Sequence, residues 1–222
     1  MTGAFEPHLH TLPEAQQVLW HRLQPALDLG FVLYGGTAIA LRLGHRISID
    51  FDFFREAPLD HAELRTAFPF LENATAIQEQ ADTLSVLVPV GGQYVKLSFF
   101  GPIRFGRVGL PQITRDGVMQ VASLQDLMAT KLKVILQRIE AKDYRDIAAL
   151  LKAGVALEKG LAAARTLFHP TFQPGESLKA LVYFEGGDLQ GLTEDERACL
   201  IAAASQVREL PVIGIVSQGL QA

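Results

Sequence analysis

The stretch GGTAIALRLGHRISIDFDFF, from Gly35 to Phe54, constrains the fold more than any other part of the chain. The apolar run FVLY (Phe31 to Tyr34) before it reads as a short buried strand. Gly35-Gly36 then reads as a turn, Thr37 to Leu43 as a short helix stopped by Gly44, and Ile47 to Phe54 as a second strand. Side chains alternate across a strand, so Ile47, Ile49, Phe51 and Phe53 share one face while Ser48, Asp50, Asp52 and Phe54 share the other. Acids set in an apolar strand repel each other and are costly to bury unless something binds them. The Cα atoms of Asp50 and Asp52 lie roughly 7 Å apart in such a strand, near enough for both carboxylates to ligate one hard cation or straddle two. The alternative is a half-exposed strand with two solvated acids.

What precedes the acids favours the ligand. Two glycines permit a tight turn with its N–H groups pointing outward, and the first turn of a helix adds free donors and a favourable dipole for phosphate oxygens. Thr37 offers a hydroxyl there, and Arg46 stands ready either to hold a phosphate or to neutralise the aspartates. No Walker motif is present, and a Gly-Gly pair alone often marks a plain turn.

The remaining features bound the class. The chain has 222 residues, 49% hydrophobic and 20% charged, enough for one domain or two small ones with a substantial core. A net charge of -4 does not suggest a general nucleic-acid binder. The single cysteine, Cys199, excludes an internal disulfide and fits a reducing cytoplasm. No signal-peptide pattern or membrane-length apolar run is visible, so a cytoplasmic protein with no membrane partner is expected.

Thr11 and Pro13 read as the cap and first turn of a helix burying Ala15, Val18, Leu19 and Leu23, which Pro25 ends or kinks. A hairpin is expected from Ser85 to Phe100 around Gly91-Gly92, with Pro89 placing one strand at an edge. From Ser123 the pattern turns helical: Leu124 to Ile139, Asp143 to Leu151, Leu157 to Phe168, Ser177 to Phe184 and Glu194 to Val207. Trp20 and the scattered phenylalanines read as core. The division expected is residues 1–120 as a sheet-containing core and 121–222 as a helical region completing the cleft.

The second informative stretch is SLQDLMATKLKVILQRIEAKDYRDIAALL. Ser123 with Asp126 resembles a capping box, and Leu127, Met128, Leu132, Ile135 and Ile139 form the buried face of the helix. Lys131 falls inside that arc and Lys133 outside it. An inward lysine either needs an anionic partner or snorkels over apolar surface. Arg138 lies at the edge of the face. Asp143 is either an N-cap or a buried functional acid, and Asp146 sits at the rim of its helix.

At these residues the chain resembles the AbiEii/AbiGii-type nucleotidyltransferases, toxins of bacterial abortive-infection and toxin–antitoxin systems. The matching stretches are GGTAIALRLGHRISIDFDFF and KLKVILQRIEAKDYRDIAALL. The resemblance implies an α+β fold: a polymerase-β-like nucleotidyltransferase core, a mixed sheet with flanking helices, followed by a C-terminal helical region. It implies that Gly35, Gly36 and Thr37 form the nucleotide-binding turn, that Asp50 and Asp52 hold Mg²⁺ and act in catalysis, and that Lys131 and Asp143 are the later basic and acidic catalytic positions. By charge, Arg46 is the residue expected to hold the leaving phosphates with the turn. The implied reaction moves a nucleotide from an NTP to an RNA (a tRNA, for example) or protein acceptor, with an antitoxin protein as partner. One position departs from the wider superfamily: the third strand carboxylate has no counterpart in YVKLSFF, whose polar face offers Lys96 and Ser98. That leaves open Asp143 as a substitute general base from the helical part, a non-catalytic nucleotide- or RNA-binding module, and a transferase acting on a small molecule such as an antibiotic.

Overall fold

In the computed structural model, which describes residues 3–222, the strand carrying the two aspartates lies near the middle of a mixed sheet. The described elements are β1 (Ala4–Phe5), α1 (Glu14–Trp20), α2 (Pro25–Asp28), β2 (Val32–Tyr34), α3 (Gly35–Leu43), β3 (Asp50–Phe54), α4 (His61–Ala67), β4 (Thr75–Gln80), β5 (Thr83–Val90) and β6 (Gln93–Phe100). They continue with β7 (Gln112–Thr114), β8 (Gln120–Val121), α5 (Leu124–Val134), α6 (Ala141–Lys152), α7 (Leu157–Leu167), α8 (Pro174–Leu181) and α9 (Glu194–Gln206). The strands are ordered β1-β7-β8-β2-β3-β6-β5-β4. β3 runs antiparallel to β2 and parallel to β6, so the class is α+β, a mixed sheet with flanking helices and a C-terminal run of helices.

The chain divides into two units. One runs up to Gly106 and adds Leu110–Ala122 and Gln218–Ala222; the other comprises Arg107–Gly109 and Ser123–Ser217. In the sheet unit the core fills one face of β3, where Phe51 and Phe53 are fully buried with Phe31, Phe68 and Phe99. Phe53 stacks on Phe99 at 4.9 Å between ring centroids. Trp20 closes this core and donates its indole N–H to Asp116 at 2.7 Å. In the helical unit α5 and α7 approach so closely that a Cβ on Gly160 would fall 2.3 Å from Met128 Cγ. Leu127, Leu132 and Leu161 are buried there.

The turns follow from the residues that make them. Gly91 and Gly92 both have positive φ, 57° and 81°, as a two-residue hairpin turn matching the strand twist requires. Gly44 closes α3 in the left-handed conformation, and Pro25 opens α2 after α1 has given way to a short 3-10 turn.

Several expectations are corrected. Thr11 caps nothing: its hydroxyl donates to the His8 carbonyl at 2.7 Å, and α1 starts after Pro13 without a side-chain cap. Val18 is 58% exposed, because the buried face of α1 runs through Ala15, Gln16, Leu19 and Trp20 and at about 100° per residue Val18 falls outside it. β3 begins at Asp50 rather than Ile47. The Ser48 N–H donates to the Thr11 carbonyl and the Gln16 side-chain amide to the Ile49 carbonyl, diverting the preceding segment from the sheet and leaving Ile47 and Ile49 more than half exposed. β5 is not an edge strand, since β4 pairs with it; Pro89 lies beyond that pairing, which ends at Leu87, where no ladder N–H is needed. α5 stops at Val134 rather than Ile139, because residues 135–138 fold into turns, and Ile139 is exposed.

Candidate active site

Gly35 and Gly36 open α3 directly at the end of β2, and the acids of β3 lie alongside. Tyr34 pairs with Asp52 across the antiparallel ladder. Gly35 has φ +76°, and a Cβ on it would come within 2.4 Å of Asp52 Oδ2. The turn backbone therefore rests directly on a carboxylate. Alternation along β3 holds: Phe51 and Phe53 are buried, while Asp50, Asp52 and Phe54 are half-buried on the other face. Arg46 folds over the turn, its Nη2 occupying the space a Cβ on Gly36 would need, and its Nη1 donates to the Ile47 carbonyl at 2.9 Å. Thr37 is buried; its hydroxyl donates to the Asp50 carbonyl and meets the Ser48 hydroxyl at 2.8 Å. In this structure Thr37 ties α3 to the start of the acidic strand.

β6 runs beside β3 in register, with Lys96 next to Asp50 and Ser98 next to Asp52. Ser98 is buried and accepts from Ser85 at 3.1 Å. Two carboxylates on same-face positions supply the hard oxygen donors that Mg²⁺ prefers. The donor set fits in type. Among the described residues no group of three or more His, Cys, Asp or Glu side chains gathers to hold a metal.

Lys131 and Asp143 meet within the helical unit. Lys131 is 5% exposed and does not snorkel; its Nζ lies 2.6 Å from Asp143 Oδ1 and 2.7 Å from Asp146 Oδ2. Arg138 donates to Asp143 through Nε at 2.8 Å and Nη2 at 3.1 Å. Asp143 is not an N-cap, because the cap position of α6 is Glu140. Burial alone would raise the Asp143 carboxyl pKa; the Arg138 hydrogen bond and the Lys131 charge outweigh it and hold it below the ordinary value. Asp146 is fully buried, not at the rim. The signal for it was present in the i, i+3 spacing of two aspartates on one helix, which turns both toward a single inward lysine. Asp126 was read as half of a capping box. The Ser123 half exists, but the Asp126 carboxylate accepts from the Val108 and Gly109 N–H groups instead, and burial raises its pKa.

A mixed α+β sheet with a strand acid pair beside a glycine turn that opens a helix is the layout of a nucleotidyltransferase, and this protein is an enzyme of that class. Residues 17–198 match the family described as nucleotidyl transferase AbiEii toxin, type IV TA system, and the chain belongs to that family. An uncharacterized protein of Aquifex aeolicus (strain VF5) is 31% identical over 169 residues, spanning 73% of this chain and 80% of that protein. The solution structure of the antibiotic-resistance factor ANT(2'')-Ia aligns with a TM-score of 0.48 and 18% identity, over 67% of this chain and 89% of that one. No helix among the described residues is long and apolar enough to cross a membrane.

Proposed function

We propose that this protein transfers a nucleotide from an NTP to an acceptor hydroxyl on RNA, such as a tRNA, or on protein, with pyrophosphate as the leaving group, and that it acts as a toxin restrained by a separate antitoxin. The observation that carries the reading is the Asp50/Asp52 pair resting against the Gly35 turn in a chain of the AbiEii toxin family. Asp50 and Asp52 would hold Mg²⁺, which when bound neutralises phosphate oxygens and so favours displacement at phosphorus. The N–H groups of the turn and the Arg46 guanidinium bind the phosphates, a role that suits a planar fork of donors. Thr37 fixes the height of Asp50 against the turn through its bond to the Asp50 carbonyl.

In the helical unit, Asp143 and Asp146 both pair with Lys131, and Asp143 also pairs with Arg138. We assign Asp143 to positioning these cations. A carboxylate held below its ordinary pKa by two cations is a weak proton acceptor, so the general-base role is not the one its surroundings favour. A second reading, a nucleotide-binding module without turnover, is favoured by Lys96 and Ser98 standing where a third strand acid would.

The test is incubation of the purified protein with each α-³²P-labelled NTP, Mg²⁺ and either total tRNA or a protein acceptor mixture. Label moving to one acceptor class, and lost in Asp50→Asn and Asp52→Asn at unchanged circular dichroism, is the expected result. NTP binding with no labelled acceptor would select the module.

A further inference from the structure

We infer that Phe54, Phe100 and Phe105 form a stacking platform for the base of the incoming nucleotide. The inference rests on the reading that the Gly35 turn and the Asp50/Asp52 pair take a nucleoside triphosphate. β3 carries aromatic rings on both faces, and the two sets differ in cover. On the core face Phe51 and Phe53, with Phe31, Phe68 and Phe99 from neighbouring elements, are completely buried. On the acid face Phe54, Phe100 and the loop residue Phe105 are only half-buried. Large apolar groups left partly open beside charged ones are the informative exception to core packing.

Position makes the case specific. Phe54 follows Asp52 on the same face of the strand, roughly 7 Å along it. Phe100 stands next to Phe54 in the β3–β6 register, its ring edge-on at 5.1 Å. Tyr34, the residue immediately before the Gly35-Gly36 turn, stacks on Phe54 at 4.9 Å with planes 14° apart. It also meets Phe105 edge-on at 6.1 Å, and Phe105 lies 6.3 Å from Phe54. The cluster is thus continuous with the phosphate turn through the backbone and with Asp52 through the strand. All of these residues belong to the sheet unit.

A half-open cluster of rings, with Phe100 and Phe105 set edge-on to Phe54, offers separate π-faces and edges to a nucleobase, which every NTP carries and which stacks without needing hydrogen bonds. The base of the incoming nucleotide is the occupant favoured over that of the acceptor. It is tethered through its ribose to the phosphates that the turn and the acids hold, so it lies within one nucleotide of them. Stacking also predicts tolerance among the four bases, since each has a π-face.

The experiment compares the affinities of wild type, Phe105→Ala, Phe105→Tyr and Phe54→Leu for ATP, CTP, GTP and UTP, and for inorganic tripolyphosphate, all with Mg²⁺, by isothermal titration calorimetry. The platform requires that NTPs bind tighter than tripolyphosphate. It further requires that Phe105→Ala weaken NTP binding by roughly 5- to 100-fold while tripolyphosphate affinity stays unchanged, and that Phe105→Tyr restore it. Phe54→Leu, which keeps apolar volume but removes the ring, should act in the same direction. Equal weakening toward NTP and tripolyphosphate would mean the ring only supports the fold, and unchanged NTP affinity would remove it from the site; either overturns the platform. Wild type binding tripolyphosphate as tightly as NTPs overturns it too, while leaving the phosphate site standing. Wild type binding neither sinks the nucleotide reading itself, and the platform with it.

Discussion

Gly35 is held by two independent constraints: a φ of +76° and a carboxylate oxygen where its Cβ would stand. A side chain in the left-handed region costs about 1–2 kcal/mol before any clash is counted. Asp52 Cγ and Cβ would also stand only 3.3 and 3.4 Å away, so turning the carboxylate aside relieves only part of the clash. Gly35→Ala is therefore expected to lower stability by about 2 kcal/mol or more, read from chemical denaturation, and to abolish NTP binding. Gly36→Ala should be milder, because the atom it meets is the far end of Arg46, which can swing aside. Its cost should show in phosphate affinity and hardly in stability. The residues of this site were legible because they break local rules: acids in an apolar strand, and paired glycines before a helix. Alternation put Phe54 on the acid face as well, but not Phe100 or Phe105, because only the pairing of β3 with β6 and the course of the loop after β6 bring those two rings to it.

At the scale of elements, the helical period placed Lys131 inward, which left an anionic partner or snorkelling open and could not say which anion. The partners lie on the next helix, and only the fold brings Asp143 and Asp146 together around one ammonium. Removing one member of a buried ion cluster typically costs about 3–5 kcal/mol because the remaining charges stay buried. Lys131→Ala should fall in that range by urea denaturation. Lys131→Arg, which keeps the charge, should recover part of the stability but not the activity if the ammonium itself is used. Lys133 lies over the Phe168 ring at 4.3 Å, so Lys133→Ala should cost no more than about 1 kcal/mol and leave activity alone. The cluster also sets an acid limit. Asp143 has a folded-state pKa below the ordinary 3.8, so its contribution to stability is complete above the unfolded value and is lost as pH falls through the folded one. Urea midpoints measured between pH 6 and 2 should drop below about pH 4, and Asp143→Asn should flatten that part of the slope. Short strands escaped the sequence for a different reason: β7 and β8 have three and two residues, too few to show a period.

At the scale of the whole molecule, the chain passes between the two units more than once. The change from sheet to helix near residue 120 was legible as a change of period, from alternation to helical spacing. The excursions were not: Arg107–Gly109 belongs with the helices, and Gln218–Ala222 returns to the sheet unit. Nothing in the local pattern of three or five residues announces a distant partner. The return of the last segment is anchored by Leu220, which is 1% exposed, and by Gln221, whose amide donates to the Leu27 carbonyl at 3.3 Å. Arg55 and Ala57 line the same recess. A proposed boundary at residues 120/121 would thus leave the sheet fragment without a piece of its own core. Leu220→Ala in the full chain should lower stability by about 2–5 kcal/mol, the range for a buried leucine truncated to alanine. A fragment of residues 1–122 should unfold at lower denaturant than one in which residues 218–222 are rejoined to it through a flexible glycine-serine linker. If the two fragments unfold at the same midpoint and Leu220→Ala matches wild type, the last segment contributes nothing and the boundary read from the sequence is sufficient.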